Sequence, residues 1–122
     1  MIDGSFGEIG ELFFEIDLVA ADDERFPIEV LLDTGFITGW LALDTQDCLS
    51  LGWVMIESER LMLTARGEEY FDIYEGKAVV DGEEYVIPVL VGDGIPESIL
   101  GLQWLKLLPL AVNFGTGVLT LG

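Results

Sequence analysis

The stretch with the most chemical content is Val30-Leu31-Leu32-Asp33-Thr34-Gly35, followed by Phe36. Burying an ionised carboxylate is costly, yet Asp33 comes straight after an apolar run. Two readings are open at this point. Asp33 closes a strand in an Asx-type turn, bonding to its own backbone, or it is a catalytic carboxylate mounted on a rigid strand end. The tripeptide alone does not decide between them. Composition narrows the other chemistries. The chain has no histidine, which removes Ser-His-Asp and Cys-His nucleophiles, imidazole zinc sites and histidine general bases together. Catalysis would fall to carboxylates, backbone groups or a bound ion.

Charge and composition bound the partners. Five Lys and Arg stand against 23 Asp and Glu, for a formal net charge of −18. Binding to a phosphate backbone has almost no electrostatic support, so nucleic acid is not an expected partner. At 122 residues with 51% hydrophobic content, the expectation is one domain, spanning 1–122, with a real core. The longest apolar stretch, Ile99 to Phe114, is interrupted by Gln103, Lys106, Pro109 and Asn113. A membrane span needs about 20 apolar residues, so no membrane association is expected. No basic segment followed by an apolar one opens the chain, and the single cysteine, Cys48, cannot form an internal disulfide. A cytoplasmic, reducing location is the resulting expectation.

The elements that must position Asp33 are short strands. Leu12 to Ala20 and Pro27 to Leu32 read as a hairpin across the polar Ala21–Arg25 connection. Gly39 to Leu43 reads as another strand. Asp44 then caps a helix of about two turns that Gly52 closes. Trp53 to Ile56 is a further strand. Leu61 to Thr64 and Glu69 to Tyr74 flank Ala65-Arg66-Gly67 as a glycine-tipped hairpin. Lys77 to Val80 and Tyr85 to Val91 flank Asp81-Gly82, a strong hairpin signal. Leu102 to Leu107 reads as a short helix stopped before Pro109, and Leu110 to Phe114 with Val118 to Leu121 as a last hairpin. Many short, closely spaced strands indicate an all-β barrel or sandwich with one or two short helices. Trp40, Trp53 and Trp104 read as core residues, and Cys48 as a buried helix residue. The acidic clusters Asp22-Asp23-Glu24 and Asp81-Gly82-Glu83-Glu84 lack the spacing of a calcium loop and read as solvated turns. Gly4, Gly7 and Gly10 lack the strand-to-helix context of a nucleotide loop.

The order of these signals carries more than any one of them. Hairpin, Leu31-Leu32-Asp33-Thr34-Gly35, the Leu41-Ala42-Leu43 strand, a flap-like Thr64-Ala65-Arg66-Gly67, then Ile99-Leu100-Gly101 with Leu105 in the following helix: this resembles the retropepsin-like aspartic proteases of clan AA, in particular small prokaryotic members. The resemblance covers nearly the whole chain. It implies a retropepsin-like closed β-fold that pairs as a two-fold homodimer, each copy supplying one Asp-Thr-Gly loop, with no cofactor and no metal. It implies an aspartic endopeptidase acting on a peptide or protein substrate. Two close carboxylates cannot both ionise easily and share a proton. Asp33 would then act with its twin as general acid and base, Thr34 would hydrogen-bond across the dimer, and Gly35 would allow a tight loop. Phe36 and the flap residues Thr64, Ala65, Arg66 and Gly67 would contact substrate. Ile99 and Leu100 would pack beneath the loop, with Gly101 leaving room for the chains to cross.

Two positions depart from the retroviral pattern. Phe36 stands where Ala is commoner, and Phe36-Ile37-Thr38-Gly39 is lengthened by a residue. Leu102 follows the second glycine in place of Arg, so the ion pair that braces the retroviral dimer is absent or replaced. A second function class shares the same fold: a catalytically silent dimeric module that grips a peptide without cutting it.

Overall fold

The computed structural model describes residues 1–64 and 67–122. Eleven strands are present among them: β1 (Ile2–Asp3), β2 (Ser5–Phe6), β3 (Leu12–Val19), β4 (Arg25–Leu32), β5 (Leu41–Asp44), β6 (Val54–Thr64), β7 (Gly67–Val80), β8 (Glu83–Gly92), β9 (Ile99–Leu100), β10 (Leu110–Asn113) and β11 (Val118–Leu121). A one-turn helix α1 (Thr45–Leu49) follows β5, and a 3₁₀ turn (Leu102–Lys106) follows β9. The fold is all-β, as the strand spacing predicts.

The larger sheet runs β2-β3-β4-β9-β5-β8-β7-β6, and β3 also pairs with β7. That extra pairing, Asp17 opposite Val79 and Leu18 opposite Ala78, closes six strands on themselves. Closure removes the free edges of these six strands, while β2 and β6 remain at the ends of the sheet. Alternation supplies the inside. Phe14, Ile16 and Leu18 of β3, Val30 and Leu32 of β4, and Ile87, Val89 and Val91 of β8 are all buried. Sequential residues of one strand point to opposite faces, so these same-parity positions share the core. Each fully buried aliphatic side chain contributes roughly 1.5–3 kcal/mol relative to exposure.

The predicted hairpin β3–β4 forms, as do β7–β8 and β10–β11. Asp81 (φ 53°) and Gly82 (φ 77°) both have positive φ, the requirement of the tight turn that Asp-Gly favours. Asp44 caps α1, its Oδ2 accepting from the Gln46 N–H at 3.0 Å, but the helix is only five residues, shorter than the two turns expected. The Leu102–Leu107 segment is 3₁₀ rather than α. The expected strands Trp53–Ile56 and Leu61–Thr64 form one strand, β6, that begins at Val54, because two register shifts, at Met55/Glu57 and Glu57/Arg60, carry the pairing through. Likewise Glu69–Tyr74 and Lys77–Val80 merge into the fourteen residues of β7. A small second sheet, β1-β11-β10, gathers both ends of the chain. Among the described residues no helix is long and apolar enough to cross a membrane.

Candidate active site

β9 is the hinge of the site. Its two residues lie parallel to β4 (Leu31 opposite Ile99, Leu32 opposite Leu100) and antiparallel to β5 (Leu41 opposite Leu100). Leu100 is fully buried between Leu32 and Leu41. The end of β4 is therefore fixed on both its backbone and its side-chain side. The Asp33 N–H donates to the Leu100 carbonyl at 2.9 Å, which carries the β4–β9 ladder one residue past the strand.

Asp33 itself is exposed, as are Thr34 and Gly35. Its Oδ1 accepts from the Gly35 N–H at 2.8 Å, an Asx-type turn. Among the described residues its Oδ2 accepts nothing. Both readings of Asp33 thus apply at once: one oxygen shapes the loop and the other faces outward. The Phe36 N–H donates back to the Asp33 carbonyl at 3.1 Å.

The rest of the loop is clamped by residues 101–104. Gly101 N–H donates to Trp40 O at 3.0 Å, Leu102 N–H to Phe36 O at 3.0 Å, and Gln103 N–H to Gly39 O at 3.2 Å. Two side chains add to this, the Gln103 amide reaching Ile37 O at 2.6 Å and the Trp104 indole N–H reaching Trp40 O at 2.7 Å. A Cβ on Gly101 would overlap the Gly39 backbone, and a Cβ on Gly39 would overlap the Phe36 ring. Both glycines are there because the backbones and the ring pass too closely for any side chain. The expected chain crossing at Gly101 is thus a contact with residue 39.

Ile99, Leu100 and Gly101 accordingly come together with Asp33, Thr34, Gly35 and Phe36. The hairpin β6–β7 supplies the facing wall. Thr64 pairs with Gly67 at its tip, and Gly67 has φ +108°. Ala65 and Arg66 lie outside the described residues. Between loop and hairpin is a cavity of about 340 Å³. Phe36, Thr38, Gly39, Trp40 and Leu41 line it on one side, and Arg60, Leu61, Met62, Ile73, Pro88 and Leu90 on the other.

Sequence reading missed the clamp made by Gln103 and the Trp104 indole, and it missed Arg60. Trp104 did carry a signal: a buried indole N–H needs an acceptor, and Trp104 is fully buried. Arg60 carried none, since its place in the cavity lining depends on the irregular pairing of β6. Among the described residues no group of three or more Cys, Asp or Glu side chains is disposed to hold a metal ion.

No protein-family model and no curated protein matches the chain. Solved structures do. One is a retropepsin-like aspartic protease from Rickettsia conorii, at TM-score 0.68 and 23% identity, covering 99% of this chain and 88% of that one. Another is the EIAV protease in complex with the inhibitor HBY-793, at TM-score 0.58 and 23% identity, covering 76% of this chain and 85% of that one. Closed sheet, Asp-Thr-Gly loop, crossing glycine and long hairpin together make this a chain of the retropepsin-like fold.

Proposed function

We infer that the chain is an aspartic endopeptidase that works as a homodimer and cuts a peptide or protein substrate. The observation that carries this reading is Asp33: an exposed carboxylate whose Oδ2 is unengaged among the described residues, held on a loop clamped by residues 100–104. A general acid or base must be positioned before it can act, and this one is. A single copy offers half of the arrangement. Two copies related by a two-fold axis bring the two Asp33 side chains together, where they share one proton. The ionised carboxylate takes a proton from a water, whose oxygen attacks the peptide carbonyl carbon. The protonated carboxyl gives its proton to the carbonyl oxygen, so that a neutral tetrahedral diol forms. As the C–N bond breaks, the carboxyl that took the water proton passes it to the leaving nitrogen, and the other, now ionised, recovers a proton from the diol, which becomes the carboxylic acid product. Thr34 and Gly35 hold the loop, Phe36 and the β6–β7 hairpin border the substrate, and Ile99, Leu100 and Gly101 support it from below.

A surface suited to pairing exists. β10 is the edge of the smaller sheet, unpaired on its outer side among the described residues. No charged side chain occurs from Leu107 to Gly122. For a chain at −18, a charge-free tract with an open strand edge is where a second copy approaches at least cost.

Replacing Asp33 tests the reading. Asp33→Asn should lower peptide cleavage by roughly 10²–10⁴-fold while circular dichroism shows the β-fold retained. A variant that cleaves as fast as the wild type removes Asp33 from the chemistry. Wild-type protein that binds peptides but cuts none between acid and neutral pH is instead the silent binding module.

A further inference from the structure

The cavity that begins at Phe36, three residues after Asp33, is largely apolar. Phe36, Trp40, Leu61, Met62 and Ile73 contribute hydrocarbon and ring surface, Thr38 adds a hydroxyl, and among the described residues Arg60 is the one charged residue lining it. In a chain with five cationic residues and 23 acidic ones, a cation at this place is not what composition would supply. Its backbone setting is also unusual. Glu57 lies opposite Ile73 and Arg60 opposite Phe71, so three steps on β6 match two on β7. Glu59, inside this bulge, has φ 53°, and its N–H is held by Asp72 Oδ1 at 3.0 Å. A bulge flips which face the following side chains take, and here it brings Arg60 onto the cavity face.

Arg60 is only loosely committed within its own chain. Its Nη1 is 3.6 Å from Glu57 Oε2, with the two side chains 56% and 50% exposed. A charge-assisted hydrogen bond is about 2.7–2.9 Å, and an exposed pair of this kind is weak and readily exchanged. The guanidinium can turn to a better-placed carboxylate without leaving a buried charge behind.

We propose that Arg60 is a specificity-determining residue: the cavity takes a peptide segment that seats a large apolar side chain against Phe36, Trp40 and Ile73 and sets a carboxylate, from Glu or Asp, on the Arg60 guanidinium. The proposal rests on the reading that peptides bind at the Asp33 site. Selection is for one carboxylate at one place. The overall negative field repels further acidic residues, so a second carboxylate elsewhere in the peptide weakens binding, and added salt relieves that second effect.

The test uses the whole protein and a set of peptides with a central apolar pair, in which each flanking position is Glu, Gln or Lys in turn. Cleavage is followed as kcat/KM, and binding of the same peptides by fluorescence anisotropy. At one position Glu should exceed Gln by roughly tenfold, the size of one well-made ionic contact. Arg60→Gln should collapse that Glu-to-Gln ratio towards one, Arg60→Lys should keep part of it, and Glu57→Gln, which removes the competing carboxylate, should enlarge it. Peptides cut with no Glu preference, or with the preference unchanged in Arg60→Gln, overturn the proposal and leave the endopeptidase reading intact. Peptides bound with an Arg60-dependent Glu preference but never cut sustain the proposal and overturn the endopeptidase. A preference for Lys at every position, or no binding and no cleavage, overturns the role of Arg60.

Discussion

Asp33 commits one oxygen to the loop and, among the described residues, leaves the other without a donor, and that division depends on its neighbours. Leu100 O anchors its N–H, and Gly35 occupies Oδ1. Asp44 offers a contrast: its Oδ2 caps α1 through Gln46, and its Oδ1 accepts from the Gly94 N–H at 2.8 Å. A carboxylate with both oxygens engaged holds a loop; one with an oxygen to spare can exchange protons. Cys48 stands at the other extreme. It is 4% exposed, and burial, with a smaller contribution from the Asp72 carboxylate, pushes its thiol up from 9.0 to about 11. The folded state thus holds the thiol proton more tightly than the unfolded chain. The stability tied to Cys48 is complete below pH 9 and is lost as pH rises from there towards 11. At pH 8.5 iodoacetamide should label Cys48 far more slowly in native protein than in urea-unfolded protein. Equal rates would mean that the thiol is not enclosed in the core.

At the scale of elements, the hairpin β6–β7 is the part most specific to the site. Gly67 sits at its tip with φ +108° and open space where a Cβ would go, so the backbone conformation, not crowding, selects glycine. Gly67→Val forces a β-branched residue into that region, at about 1–2 kcal/mol of local strain. Turnover should fall severalfold with little loss of dimer, read from steady-state kinetics beside sedimentation; unchanged kinetics would make the tip a plain surface turn. Most elements were legible because local chemistry decides them. Asp81-Gly82 demands its turn, Asp44 its cap, and Leu31-Leu32 followed by Asp33 its strand end. The extents of β6 and β7 were not legible. Glu57-Ser58-Glu59-Arg60 and Glu75-Gly76 look like breaks, but the bulges bridge the first. At the second, Gly76 lets β7 pass close to Val89 and Trp53. The strands β1 and β2, two residues each, are too short to show any period. The cavity was also illegible, since Phe36, Arg60 and Pro88 meet only through the pairing of distant strands.

For the molecule as a whole, charge and assembly oppose each other. Two copies double a formal charge of −18, and bringing them together takes electrostatic work that salt screens. Among the edge strands of the described residues, β10 of the smaller sheet lies in the charge-free tract. Raising ionic strength from about 0.01 M to about 0.1 M shortens the screening length from about 30 Å to about 10 Å, and the dimer should tighten over that range in sedimentation velocity. Val112→Glu places a carboxylate within the charge-free tract, where Val112 is 39% exposed. This variant should shift the protein towards monomer, most strongly at low salt, with the fold unchanged. A monomer at every salt concentration in the wild type would remove the two-fold site.

The clamp on the Asp33 loop is also an optical device. The Trp104 ring meets Trp40 at 5.1 Å and 87°, and Tyr85 at 5.0 Å and 90°, while its indole N–H is fixed to the Trp40 carbonyl. Two chromophores set at right angles to the buried Trp104 ring couple their electronic transitions with it, and the expected outcome is a near-ultraviolet circular dichroism signal that a mobile cluster would average away. Trp40 belongs both to this cluster and to the cavity wall. A peptide added to the protein and seated in the cavity should therefore change the surroundings of one member of the set, and a shift of intrinsic tryptophan fluorescence on titration would report that occupancy without a label.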